Sequence, residues 1–425
     1  MRKAIIKICI FSLIFVFLFN FCYSFADDIE INSDTTSTEN EITNISTIET
    51  STDNLSNFNL NARSCIVLDR LSKKILYGKN EYNKVKMAST TKIMTAIIVI
   101  EKYDLNKTVG ISKKAAGIRG SRLGLKNNDK ITIRDLLYGL MLCSGNDAAV
   151  ALAENVGGNI QNFSDLMNEK AKELGLCNTH FESPHGLDSN EHYTTAYDLA
   201  LLTNYALNNS TFINIVGTKK YTITINGNPK NLINTNELLG TLNGVYGVKT
   251  GFTNGANRCL VTACKRGNMD IICIVLGCDT KKLRGQDSIK LIEYSFKNFE
   301  YINIEELINK KFENWKKMNK NYFEIEKGIT SNLQLRISEL DTPIIPLKKD
   351  EISSLNIDIF INKNLAAPVF KNTTIGSINI SCNNKYIAHL NVLANNDINK
   401  KKFYNYLLEF FKRDEVRSFF LLLEK

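Results

Sequence analysis

Residues 88–100 read Ala-Ser-Thr-Thr-Lys-Ile-Met-Thr-Ala-Ile-Ile-Val-Ile. From Ile93 onward this run is apolar all round, so it predicts a helix buried on every side, spanning about residues 89–103. Into the first turn of that helix the chain places Ser89 and Lys92, three residues apart and hence on one face, one turn from each other. A lysine there is taken out of water, and burial or a neighbouring cation lowers an amine's proton affinity. An uncharged amine one turn from a serine can deprotonate it. The helix N-terminus adds positive potential for a developing oxyanion. Ser-x-x-Lys is a loose pattern, although this chain contains it once. The bland alternative is a solvated helix start, which the buried run argues against.

Working outward, residues 64–77 read as a hairpin with a polar turn near 70–74, and 131–133 as a short extended piece. Helical spacing covers 134–156, broken at Ser144-Gly-Asn146, then 160–174 and 197–208. Residues 221–225 form a strand that ends on the turn signal Asn226-Gly227. Three successive strands follow at 245–251, 259–264 and 271–277, and helical spacing returns at 287–299. This order implies an α+β domain: one antiparallel sheet backed by helices, with a helical insertion between the Ser89 helix and the strand carrying Lys249. From about residue 330 short alternating runs (333–337, 357–361, 374–380, 386–390) suggest a small C-terminal β-sandwich.

Two further strings carry chemistry. Ser144-Gly-Asn146 interrupts an apolar helical segment, and its backbone groups need partners unless the break lines a cavity. Read alone, an ordinary helix–helix turn accounts for it. Lys249-Thr-Gly251 follows Gly244 and Gly247, and glycines let another backbone approach a strand edge. A substrate could add there as an extra strand.

The ends of the chain differ in kind from its middle. Arg2, Lys3 and Lys7 precede an apolar stretch at 8–22, and Ser24-Phe-Ala26 offers a small-x-small cleavage site, so 1–26 reads as a secretory signal. An uncleaved membrane anchor is the alternative. Residues 27–58 hold eight acids and no Lys, Arg, Pro or Gly, which reads as a disordered acidic linker. The whole chain carries +9; with +3 in the signal and −8 in the linker, the rest is about +14. A basic exported body suits an anionic surface such as a cell wall or acidic lipid. Nucleic acid is the competing partner for a basic body, and export and the lack of basic clusters interleaved with aromatics argue against it. The expected organisation is then signal 1–26, linker 27–58, catalytic domain 59–300, connector 301–329, β-rich domain 330–396 and amphipathic tail 397–425. The tail reads as two short segments joined at 412–415, either lying on a membrane surface or packed on the β-domain.

Ten cysteines are present, two of them in the signal. Most of the other eight sit in apolar runs, where free Cys behaves as a small hydrophobe. A hairpin centred between Asn268 and Met269 would place Cys264 opposite Cys273 and Cys259 opposite Cys278, close enough to bridge, whereas a turn shifted by one residue removes both pairs.

Taken together, the three strings resemble the signature of the serine D-Ala-D-Ala carboxypeptidases, the low-molecular-mass penicillin-binding proteins, whose catalytic domain is β-lactamase/transpeptidase-like. The resemblance runs over residues 64–294 and includes 88–96, 142–154, Pro184-His-Gly-Leu187 and Gly247-Val-Lys-Thr-Gly-Phe-Thr253. It implies that Ser89 attacks the carbonyl between two D-alanines, with Lys92 as general base and Ser144 as proton relay. Asn146 would hold the substrate amide, Lys249 would supply positive potential, Thr250 would bind the terminal carboxylate, and Gly251 would belong to the substrate-binding strand. The N–H groups of Ser89 and Phe252 would form the oxyanion hole. Water would hydrolyse the acyl-enzyme, and β-lactams would acylate Ser89 and leave slowly. The implied partners are peptidoglycan stem peptides and β-lactams, with no cofactor and no metal. Tyr246 stands where the family usually has Asp, Asn257 where Gly is common, and Ser183 where Asn is frequent.

Three rival readings share parts of this pattern. His180, His185 and His192, with Asp188 and Glu191, could suggest a metal, but their spacing fits no compact helical pair and they read as loop packing near the site. A β-lactamase would want a Glu-x-x-Leu-Asn string between Ser144 and Lys249, which is missing. A sensor that is acylated without turning over peptide would share every motif.

Overall fold

A computed structural model describes residues 59–411; the expected signal, the linker and the second segment of the tail lie outside the described residues. The chain opens with the hairpin β1 (Ser64–Asp69) and β2 (Ile75–Lys79). A 3-10 turn (Ala88–Thr91) then runs straight into α1 (Lys92–Lys102). The insertion follows as β3 (Thr108–Gly110), α2 (Lys113–Gly117), β4 (Lys130–Thr132), α3 (Ile133–Leu142), α4 (Asn146–Gly157), α5 (Ile160–Glu173), α6 (Ala196–Ala206), α7 (Ser210–Val216) and the hairpin β5 (Lys220–Ile225) and β6 (Asn228–Ile233). Strands β7 (Val245–Thr253), β8 (Asn257–Arg266) and β9 (Met269–Cys278) and helix α8 (Lys281–Asn298) complete the first unit.

Its sheet is antiparallel throughout, in the order β2-β1-β9-β8-β7, so β7 is an edge. Both faces are covered, and the period-2 alternation of a strand sorts residues between them. Ile66, Leu68, Val261, Ala263, Ile272 and Ile274 join α1 and the insertion helices in one core. Cys65, Val67, Leu260, Cys264, Ile271, Cys273 and Val275 join Ile289, Leu291 and Ile292 of α8 in a second. Helix α1 is buried from Lys92 to Val99, as its composition requires.

The β8–β9 hairpin corrects one expectation. Arg266 pairs with Met269, so the turn is Gly267-Asn268, with Gly267 at φ +57°. Glycine in the first central position sets this turn. The shift pairs Cys264 with Ile271 and Cys273 with Thr262, and Arg258, not Cys259, faces Cys278. All eight cysteines among the described residues are free.

The second unit begins with β10 (Phe299–Asn303) and α9 (Ile304–Met318), followed by β11 (Glu324–Glu326), β12 (Leu335–Ile337), β13 (Ile344–Lys348), β14 (Leu355–Ile361), β15 (Asn364–Ala366), β16 (Thr374–Cys382), β17 (Lys385–Ala394) and α10 (Phe403–Phe411). Four strands make a sheet in the order β12-β17-β16-β14, with the short ladders β10-β13 and β11-β15 beside it. The stretch 301–329, expected as a connector, contains α9, whose Ile304, Ile308 and Phe312 recur at i, i+4 and i+8 and pack into this unit's own core. On α10, Phe403, Tyr404, Leu407, Leu408 and Phe410 are all exposed. Among the described residues no helix is long and apolar enough to cross a membrane.

Candidate active site

The serine sits where α1 meets the edge of the sheet. Ser89 lies in the 3-10 turn rather than in the α-helix proper, because Thr90 and Thr91 donate their hydroxyls to the carbonyls of Met87 (2.6 Å) and Ala88 (2.8 Å). Such side-chain bonds compete with helix geometry. Ala88 takes φ +47°, an uncommon conformation for a residue with a Cβ. Gly251 of β7 faces this turn closely: a Cβ there would lie 3.2 Å from Ser89 N and 3.3 Å from Met87 O. The glycine of the third string therefore admits the turn itself to the strand edge.

Lys92 is fully buried, and its Nζ lies 2.7 Å from Ser89 Oγ, 2.7 Å from Asn146 Oδ1 and 3.0 Å from His185 O. The Asn146 amide is oriented by its Nδ2, which donates to Arg119 O at 2.7 Å, so Oδ1 must face the amine. Two of the three contacts are thus pure acceptors. In the uncharged amine both N–H groups go to those carbonyls, and the lone pair is left pointing at the Ser89 hydroxyl. As an ammonium it donates to all three.

Ser144 lies in the break between α3 and α4 at φ +61°, buried and two residues before Asn146. Asp147, next along, was missed in the sequence. Its carboxylate accepts the N–H groups of Leu123 (2.7 Å), Gly124 (2.7 Å), Leu125 (3.0 Å) and Ala148 (2.9 Å). Asn146 N donates to Ser121 O at 2.7 Å. Together the two residues pin the 119–125 loop, whose Gly120 and Ser121 wall a cleft shared with Ser89, Asn146, Leu187, Phe252 and Asn254.

Lys249 is 1% exposed, and its Nζ donates to Thr250 O at 2.9 Å. Burial, with a smaller contribution from Arg284, lowers its pKa to about 7, while Cys143 opposes the shift. Thr250 Oγ1 lies 2.8 Å from Thr235 Oγ1, a partner with no local sequence signal. Asn236 Nδ2 donates to Gly247 O at 3.0 Å and fixes the start of β7. The Arg258 guanidinium stacks over the Phe252 ring, 3.7 Å from its centroid.

The histidine-rich loop packs behind the serine. Pro184 O accepts from Thr95 Oγ1 (2.7 Å), and Gly186 at φ +85° abuts Ala88 O so closely that a Cβ would sit 2.0 Å away. Asp188 accepts Thr253 Oγ1 (2.7 Å) and Gly255 N (2.8 Å), holding the β7–β8 turn. Burial, and next the nearby Lys92, lower the pKa of His185 to about 3; burial, and then His180, bring His192 to about 4. The three departures from the family pattern have local reasons. Tyr246 OH donates to Asp270 (2.8 Å) and accepts from Arg70 (2.9 Å). Asn257 supplies φ +56°, which Asn tolerates nearly as glycine does. Ser183 Oγ accepts from Gly186 N at 3.2 Å.

Residues 49–280, more than half of the chain, match the family of D-alanyl-D-alanine carboxypeptidases. The chain belongs to that family. Within it, the D-alanyl-D-alanine carboxypeptidase DacF of Bacillus subtilis is 33% identical over 352 residues, 81% of this chain and 88% of the relative. The Escherichia coli DacD carboxypeptidase is 30% identical, covering 83% and 90%. Residues 320–400 match the penicillin-binding protein 5 C-terminal domain. Among solved structures, the DacD carboxypeptidase of Francisella tularensis superposes with TM-score 0.68 at 26% identity, over 84% of this chain and 98% of that one. Penicillin-binding protein 5 of Haemophilus influenzae gives TM-score 0.64 at 29% identity, over 80% and 98%. This carboxypeptidase-family chain therefore shares both units, catalytic and C-terminal, with those proteins.

Proposed function

We propose that the chain is an exported serine D-Ala-D-Ala carboxypeptidase that removes the terminal D-alanine from peptidoglycan stem peptides, with Ser89 as nucleophile. The observation that carries this reading is the Lys92 amine, held by two carbonyl acceptors with its third direction on Ser89 Oγ at 2.7 Å. In the proposed cycle Lys92 takes the hydroxyl proton as Ser89 attacks, and the Ser89 and Phe252 N–H groups receive the oxyanion. Ser144 returns a proton to the leaving D-alanine. Asn146 aligns the substrate amide along the β7 edge. Lys249 and Thr250, with Gly251 between strand and turn, take the terminal carboxylate. Water then releases the acyl group, and a β-lactam stops at that stage.

In this reading 1–26 serves as export signal and 27–58 as tether. A body of about +14 suits the anionic wall. The exposed aromatic and leucine side chains of α10 suit contact with a membrane surface. Intact-mass analysis after penicillin treatment should give one adduct, on Ser89, and a peptide ending in D-Ala-D-Ala should release D-alanine. Ser89→Ala should abolish both. Labelling without release would assign a sensor, and activity persisting in Ser89→Ala would reject the nucleophile.

A further inference from the structure

His192 is a buried polar group that the proposed cycle leaves unused. It is 2% exposed, yet both ring nitrogens are engaged. Nδ1 accepts the Glu182 N–H at 3.0 Å, and Nε2 lies 2.8 Å from Thr91 Oγ1. A ring nitrogen that accepts carries no proton, so in the neutral ring Nε2 is the donor to Thr91. Thr91 Oγ1 then donates onward to Ala88 O at 2.8 Å. The ring stays neutral, since burial brings its pKa to about 4. Phe181 holds it edge-on, with ring centroids 5.9 Å apart.

The two ends of this brace meet different parts of the site. Through Thr91 it reaches the Ala88 carbonyl, the peptide unit that also carries the Ser89 N–H. Ala88 holds φ +47° there, a strained setting that persists when its surroundings over-determine it. Through Glu182 it reaches the start of the loop whose His185 carbonyl accepts from Lys92 at 3.0 Å and whose Gly186 packs on Ala88 O. We propose that His192 is a positioning residue for acylation, setting the nucleophile's turn and the 182–186 loop in register so that the Ser89 N–H and the Lys92 amine are aimed together. The proposal rests on Ser89 being the nucleophile.

The test uses the full chain and the rate of Ser89 acylation by benzylpenicillin, with first-order rate and non-covalent affinity resolved separately and melting temperature measured alongside. His192→Asn keeps an acceptor near the Nδ1 place and loses the reach to Thr91. His192→Gln restores an N–H near the Nε2 place. Thr91→Val removes the same bond from the other side. His192→Asn and Thr91→Val should each slow first-order acylation about tenfold, with affinity changed less than about twofold. The double variant should be no slower than either single one. His192→Gln should recover to within about threefold of the parent. Wild-type acylation rates in folded His192→Asn, additive losses in the double variant, or a Gln variant no better than Asn at equal melting temperature would each overturn the proposal. Should the His192 variants fail to fold, an undiminished rate in Thr91→Val overturns it alone. An unmodified Ser89 in the parent chain would instead sink the nucleophile assignment.

Discussion

Asp147→Ala offers the sharpest test of how the cleft is built. The carboxylate is fully buried and accepts three N–H groups from the 123–125 stretch. Gly124 is exposed, so its N–H can turn to water. Leu123 and Leu125 are each 1% exposed, and their N–H groups would lose a charged acceptor with no water to replace it. Each such loss costs about 1–3 kcal/mol, so the pair amounts to roughly 2–6 kcal/mol, with about 4 kcal/mol at the middle of that range. For a unit of this size that is a fall in melting temperature of roughly 10 °C. The same loop accepts Asn146 N at Ser121 O, and Asn146 orients Lys92. Acylation by penicillin should therefore fall about 10- to 100-fold, in a way substrate concentration does not rescue. Asp147→Asn, which keeps one acceptor oxygen, should fall between. Thermal unfolding and acylation kinetics on both variants decide the matter: an Ala variant that melts and acylates like the parent refutes the reasoning.

Further outcomes are expected. Lys249 has a pKa of about 7, so kcat/KM for a peptide with a free carboxylate should decline as pH rises through about 7, and the decline in kcat should lie higher because bound carboxylate favours the ammonium. The sign for stability is opposite: the folded state binds fewer protons at this group than the unfolded chain between pH 7 and the usual lysine value of about 10.4, so this contribution rises over that window and should vanish in Lys249→Met. Gly186→Ala would drive a Cβ to 2.0 Å from Ala88 O at φ +85°, and should abolish acylation while circular dichroism stays native. Thr235→Val removes the partner of Thr250 and should raise KM about threefold to tenfold with kcat less affected. Titration of the denatured, unreduced protein should find a free thiol for each of the eight cysteines among residues 59–411.

What the sequence disclosed and what it concealed divide along a physical line. Ser89, Lys92, Ser144, Asn146 and Lys249 could be singled out as candidates because they are side chains at fixed local spacing beside a buried helix or an edge strand. The two-sided sheet was legible in its strands but not in its register, since the glycine at the β8–β9 turn moved the turn centre by one residue and the partners of Leu260 to Arg266 by two. Helix α9 was readable from Ile304, Ile308 and Phe312 but was masked by its charged exposed face. Asp147, Thr235 and His192 act through backbone groups or hydroxyls distant in the chain, and no local pattern encodes a partner that tertiary folding supplies. Gly251 was read as part of the substrate strand; that its missing Cβ also makes room for the turn of Ser89 shows only in the fold.

The open side of β7 is short. At its beginning the Gly247 carbonyl is taken by Asn236, and Val216 would meet a Cβ on Gly247 at 2.9 Å. Thr235 stands against Thr250 a few residues on. On the proposed reading, a guest strand laid along this edge would meet Asn236 and Thr235 soon after passing Ser89. A peptide that stops there would fit and one that continues would not, so trimming from the tip would follow from where the neighbouring loop comes to rest.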